Sequence, residues 1–177
     1  MMKKIYRLRY KYIGYFCIAN DIYASDKISV MKQNINPYYF KTNLLQTIFR
    51  IVLGVFLIFA GTGHLTWLRA EFVAQVPGWV PVSTDLVVVL SGVAELLLGA
   101  SLIVLKKYRV LVGWAVAAFF VLIFPGNIAQ YVNGTDAFGL NSDISRGVRL
   151  LFQPLLVLWA LWSTGAWNAL KRKYSKK

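Results

Sequence analysis

Four apolar stretches of about twenty residues, separated by short polar segments, dominate the chain from residue 44 onward. The first lies between Arg50 and Arg69 (IVLGVFLIFAGTGHLTWL) and extends upstream through Leu44 to Phe49. The second runs from Leu86 to Leu105 and holds one charge, Glu95; the third, Val110 to about Val132, holds none. The fourth runs from Leu150 to Leu170. Each matches the ~20 residues, at ~1.5 Å rise, that a hydrocarbon core of ~30 Å requires. A helix is the one open-ended way to satisfy a backbone in lipid. The pattern therefore predicts an all-α membrane protein with transmembrane spans at about 44–67, 84–105, 109–132 and 147–169. These belong to a membrane domain over residues 41–170, followed by a basic tail at 171–177.

The basic residues set the expected orientation. Nine fall in the amino-terminal segment, from Lys3 to Arg50. Lys106, Lys107 and Arg109 fall between spans two and three, and Lys171, Arg172, Lys173, Lys176 and Lys177 follow the fourth. The opposite side carries Arg69, Arg146 and Arg149 beside Glu71, Asp85, Asp136 and Asp143. The positive-inside rule then puts both termini in the cytoplasm. Trp67 and Trp79 at the outer boundary, with Tyr108, Trp167 and Tyr174 at the inner one, match an aromatic belt.

Composition agrees with a lipid solvent: 58% hydrophobic and 15% charged residues, against ~25% charged in soluble domains. A net charge of +13 would point to nucleic acid, but these charges sit in runs between apolar stretches and read as topology signals, so no nucleic-acid partner is expected. A single cysteine, Cys17, excludes a disulfide, a CxxC pair or a thiol relay within the chain. A single histidine, His64, argues against multi-histidine haem or zinc sites, and no metal is expected.

The loop from Arg69 to Val82 is apolar and contains Pro77, Gly78 and Pro81. The prolines lack donors and prevent one regular helix, so this segment is expected to lie along the outer interface. Ser83 and Thr84 are candidate N-caps for span two. Residues 1–40 form a separate basic extension whose first thirty residues are rich in tyrosine and too short in apolar length to span or to act as a signal peptide. It reads either as an amphipathic segment on anionic lipid or as an over-long gene start, with the working protein beginning at Met31.

Ionisable residues at bilayer depth cost about 2.5–3.5 kcal/mol each on insertion scales and so point to function. Glu95 is in mid-span two; Ser91 shares its face and Gly92 and Gly99 lie close by, letting a neighbouring helix approach and turning Glu95 inward. A purely structural interhelical hydrogen bond is the competing reading. His64 follows Gly61 and Gly63 near the outer end of span one, where the glycines leave room for a ligand or a helix. In span three Pro125 and Gly126 open the helix, and Asn127 and Gln130 supply amides that either face a site or satisfy freed carbonyls. Arg146, Arg149 and Gln153 share one face of span four. By helical rise, Gln153 and Glu95 reach similar depths, roughly 12–15 Å below the outer ends of their helices. His64, Glu95, Asn127, Gln130, Arg149 and Gln153 would then make a polar pocket open to the outer face. Arg149 either reaches toward Glu95 or snorkels to the interface.

The runs GTGHLTW, FVAQVPGWVP, SGVAELLLGASLIV, FPGNIAQY and VRLLFQPLLVLWALW, over about residues 46–163, resemble the DoxX-like family of small membrane proteins. The resemblance implies an antiparallel four-helix bundle in a bacterial plasma membrane. Named members are linked to thiosulfate:quinone oxidoreductase and to oxidative-stress complexes, while most have no assigned activity. Residues matching the family pattern are His64, Glu95, Pro125, Asn127, Arg149 and Gln153. Two readings of function follow: a non-enzymatic membrane module (a partner for a second subunit, or a small-lipid binder), and a quinone-linked redox subunit whose electrons come from elsewhere.

Overall fold

The computed structural model describes residues 23–25, 27 and 41–175. The chain divides into two units, Met1–Lys41 and Thr42–Lys177. In the first, residues 23–25 and 27 are helical and exposed. The basic run of residues 1–20 and Met31 lie outside the described residues, so the two expectations for that extension are not addressed.

In the second unit a capping box starts the first long helix. Asn43 Oδ1 accepts from Gln46 N at 2.8 Å, and Gln46 Oε1 accepts from Asn43 N at 3.1 Å. Two of the orphan amides at the helix start are thereby satisfied. Helix α1 runs Leu44–Leu65 and ends with Thr66 outside the helical region. The loop expected at the outer side contains a short helix, α2 (Arg69–Val73), and then a turn through Pro77. Helix α3 is Thr84–Val104. Ser83 holds its N-cap position, but its side chain makes no capping hydrogen bond. A 3₁₀ turn, Lys106–Tyr108, leads into α4, Arg109–Val132.

The fourth long helix, α5, is Asp143–Ser163, against an expected span of about 147–169. It starts earlier because Ser142 and Ser145 form a second capping box. It ends earlier because Gly165 takes a left-handed conformation (φ 77°), which glycine adopts without steric cost. The chain continues as α6, Ala166–Ser175, so the basic tail is helical through Ser175. Helices α1, α3, α4 and α5 are all long and apolar enough to cross a membrane.

Helix α1 packs chiefly on α3, and α4 on α5, with lighter contact between the pairs. The α1–α3 contact depends on glycine. A Cβ on Gly61 would lie 2.7 Å from the Gly92 carbonyl, and one on Gly99 would lie 2.6 Å from the Gly54 carbonyl. Backbones this close admit no side chain between them. Gly61 therefore makes room for a helix; Gly63 faces Leu68 instead. The core is built from Leu53, Leu57, Leu102, Val116, Phe120 and Ala160. At the other end of α1, Gln46 Nε2 donates to the Trp162 carbonyl at 2.9 Å, and Phe49 meets Trp159 and Trp162 edge-on. Arg50 is buried and donates to the Leu102 carbonyl near the C-terminus of α3, where a cation is favoured by the helix dipole.

Candidate functional site

The glycine contact brings His64 over α3. Ser91 Oγ donates to the carbonyls of Val87 or Val88, at 2.9 and 3.0 Å. The same oxygen lies 3.3 Å from His64 Nδ1. His64 Nε2 faces Glu95 Oε2 at 3.3 Å. Two lone pairs facing each other at this distance would repel, so one proton belongs to the His64–Glu95 pair. The contact has an ion-pair distance but not hydrogen-bond direction, and Oε2 receives no hydrogen bond from any described residue. Glu95 is only 5% exposed. The imidazole stacks on Phe72 of α2, with ring centroids 3.3 Å apart.

A chain of amides forms the other side of the site. Arg149 Nη2 donates to Gln75 Oε1 at 3.0 Å, and Gln75 Nε2 donates to Gln130 Oε1 at 2.7 Å. Gln130 Nε2 ends the chain on the carbonyls of Thr135 and Ala137, both at 3.4 Å. Those carbonyls only accept, so they fix the orientation of every amide back to Arg149. The guanidinium also lies over the Phe138 ring, 4.5 Å from its centroid, a cation–π geometry. Phe138 has a φ of 58°, uncommon for a residue with a side chain. Glu71 secures it by accepting from its N–H at 2.6 Å.

Deeper in the bundle, Asn127 Nδ2 donates to Gln153 Oε1 at 3.0 Å, and Gln153 Nε2 donates to the Phe120 carbonyl at 2.7 Å. Pro125 has no N–H for the turn before it. The carbonyl this frees is that of Val121, next to the Phe120 carbonyl that Gln153 caps, while Asn127 donates to Gln153 and Gln130 to the Thr135 and Ala137 carbonyls.

These groups surround a cavity of about 580 Å³, lined by His64, Glu95, Asn127, Arg149 and Gln153 with Gln75. Gln130 is not at its surface; it stands behind Gln75. The remaining wall is mostly apolar, including Phe59, Leu122, Phe152 and Leu156. Leu122 is 76% exposed and Phe59 59%, so the cavity rim joins the apolar outer face of the helices. The volume is that of a site for one small molecule, ~300–1,000 Å³.

A family model described as a domain of unknown function, DUF8561, matches residues 53–164. The chain belongs to the DUF8561 family. No curated protein and no solved structure matches it. The matched segment contains every cavity residue named above.

Arg146 shares a helical face with Arg149 but makes ion pairs with Asp136 and Asp143, both at 2.8 Å, outside the cavity lining. Arg149 contacts Gln75 and Phe138 and makes no ion pair with Glu95. The sequence reading missed Gln75, Phe72 and Phe138. Gln75 carried a usable signal, as the one strongly polar side chain within FVAQVPGWVP. The two phenylalanines carried none. Among the described residues, no three His, Cys, Asp or Glu side chains come together.

Proposed function

We propose that this DUF8561 domain is a membrane module that binds one small membrane-soluble amphiphile, with the molecule's polar end among His64, Glu95, Asn127 and Arg149. The carrying observation is a mostly apolar cavity of about 580 Å³ in whose wall a few polar groups, His64, Glu95, Asn127, Arg149 and Gln153, converge. Apolar walls with a few convergent polar groups are what small-molecule sites use to hold a ligand and fix its orientation. The exposed apolar rim supports entry from the side, through lipid. The proposed setting is an antiparallel bundle in a bacterial inner membrane, with both termini cytoplasmic. Opposed glycine pairs, Gly54 with Gly99 and Gly61 with Gly92, support the antiparallel arrangement, and the distribution of basic residues supports the orientation.

A second reading, a quinone-linked oxidoreductase subunit, draws on the proton held by the His64–Glu95 pair beside the cavity and on the DoxX-like resemblance. Electrons would then come from a partner protein or a soluble substrate. Gentle detergent extraction followed by mass spectrometry of bound lipids and proteins separates the readings. Binding predicts one amphiphile per chain. An isoprenoid quinone would favour the second reading, and a tightly held second subunit with no bound lipid would overturn amphiphile binding.

A further inference from the structure

Arg149 differs from the other two arginines near the outer ends of the helices. Arg69 makes a bidentate pair with Asp85 at 2.6 and 2.7 Å, and Arg146 has two aspartates. No carboxylate of the described residues lies within 4.0 Å of Arg149. It is held by a neutral amide and by the face of a ring. Of the residues lining the cavity, only His64, Glu95 and Arg149 can ionise. Glu95 pairs with His64, 3.3 Å away, and not with Arg149. The Arg149 guanidinium at the cavity wall thus has no anionic partner among the described residues. In a low-dielectric wall such a charge is costly unless it is compensated.

We propose that the headgroup bound here is a monoanion, and that the ligand is a single-chain carboxylate amphiphile of the fatty-acid type; this rests on the amphiphile-binding reading above. A carboxylate brings one negative charge and matches the site. A phosphate monoester brings ~1.5 to 2 and would leave an excess beside Glu95. The Arg149 guanidinium has donors beyond the one spent on Gln75, and a carboxylate accepts two of them in parallel. The ring of Phe138 and the amide chain through Gln75 and Gln130 hold the guanidinium without neutralising it, which leaves its charge for the ligand. The volume of about 580 Å³ and the apolar rim suit one chain leaving toward lipid.

The test uses the full-length protein in lipid nanodiscs with three probes of equal chain length: oleate, oleyl alcohol and oleyl phosphate, read by native mass spectrometry. Oleate should be retained about tenfold or more over oleyl alcohol, as expected for one lost charged hydrogen-bond partner. Oleyl phosphate should not exceed oleate. Arg149→Gln should remove the preference for acid over alcohol, and Arg149→Lys should keep part of it. Equal retention of oleate and alcohol by the unaltered protein would overturn the monoanion assignment while leaving amphiphile binding intact. Phosphate exceeding oleate would also overturn it. Failure of all three to bind would sink both the assignment and the reading beneath it.

Discussion

Replacing Gly99 by alanine adds one methyl group at the closest approach of α1 and α3. The new Cβ would lie 2.6 Å from the Gly54 carbonyl, 2.9 Å from Ile58 Cγ1 and 3.1 Å from Ile58 N. Two of these atoms are backbone and cannot rotate aside. Relief to ordinary contact needs the helices to part by roughly 0.8 Å, and overpacking of this kind costs about 1–3 kcal/mol. Alanine returns about 0.5–1 kcal/mol through its better helix propensity, leaving a net loss of about 0–2.5 kcal/mol. Gly126→Ala is the matched control, since its Cβ would stand 3.4 Å from the nearest atom, the Gln75 carbonyl. That variant should be neutral or slightly stabilised. Gly78→Ala, with nothing within 4 Å, should change stability by less than about 0.5 kcal/mol. Equilibrium unfolding in mixed micelles of increasing denaturing-detergent fraction would measure all three. Equal stability of the Gly99 and Gly126 variants would refute the glycine-mediated contact.

Other consequences are more local. Glu95→Gln preserves shape and a donor for His64 Nε2, so it should be nearly silent in stability, whereas Glu95→Leu should destabilise by about 1–3 kcal/mol by leaving that nitrogen buried and unpartnered; equal tolerance of both would remove any role for Glu95. Gln153→Leu strips a partner from both Asn127 and the Phe120 carbonyl, and should cost about 2 kcal/mol or more in thermal unfolding; a change below ~0.5 kcal/mol would contradict the bridging geometry. A reporter active only in the cytoplasm should work when fused after Lys177 or within Lys106–Arg109 and fail near Gly78 or Thr135; activity at Gly78 would refute the orientation.

Much of the architecture was legible because lipid permits few solutions. Length and lack of charge were enough to find the four long helices, and the ends of α1, α3 and α4 lie close to the expected boundaries. The span was expected to start at about 147 because the charged Asp143 and Arg146 precede the apolar run, although Arg146 already shared a helical face with Arg149 and Gln153. In fact Asp143 and Arg146 form the first turn, with Arg146 neutralised by Asp136 and Asp143. The site was legible one helix at a time. Glu95 and Gln153 stand out as polar residues in apolar spans, but periodicity does not say what a side chain meets. The partner of Arg149 is 74 residues away in an irregular loop, and Phe138 reaches the guanidinium from a left-handed backbone conformation. Such contacts arise from tertiary packing, which leaves no periodic trace in the sequence.

The central claim is that the cavity is a binding site. Its most direct test is a density map of the protein extracted with its native lipids, at a resolution that separates headgroup from side chains. The account predicts elongated density within the cavity, with its polar end within hydrogen-bond distance of Arg149 or Glu95 and its tail leaving past Phe59 and Leu122. A cavity closed by its own side chains, or holding only water between His64 and Arg149, would contradict it.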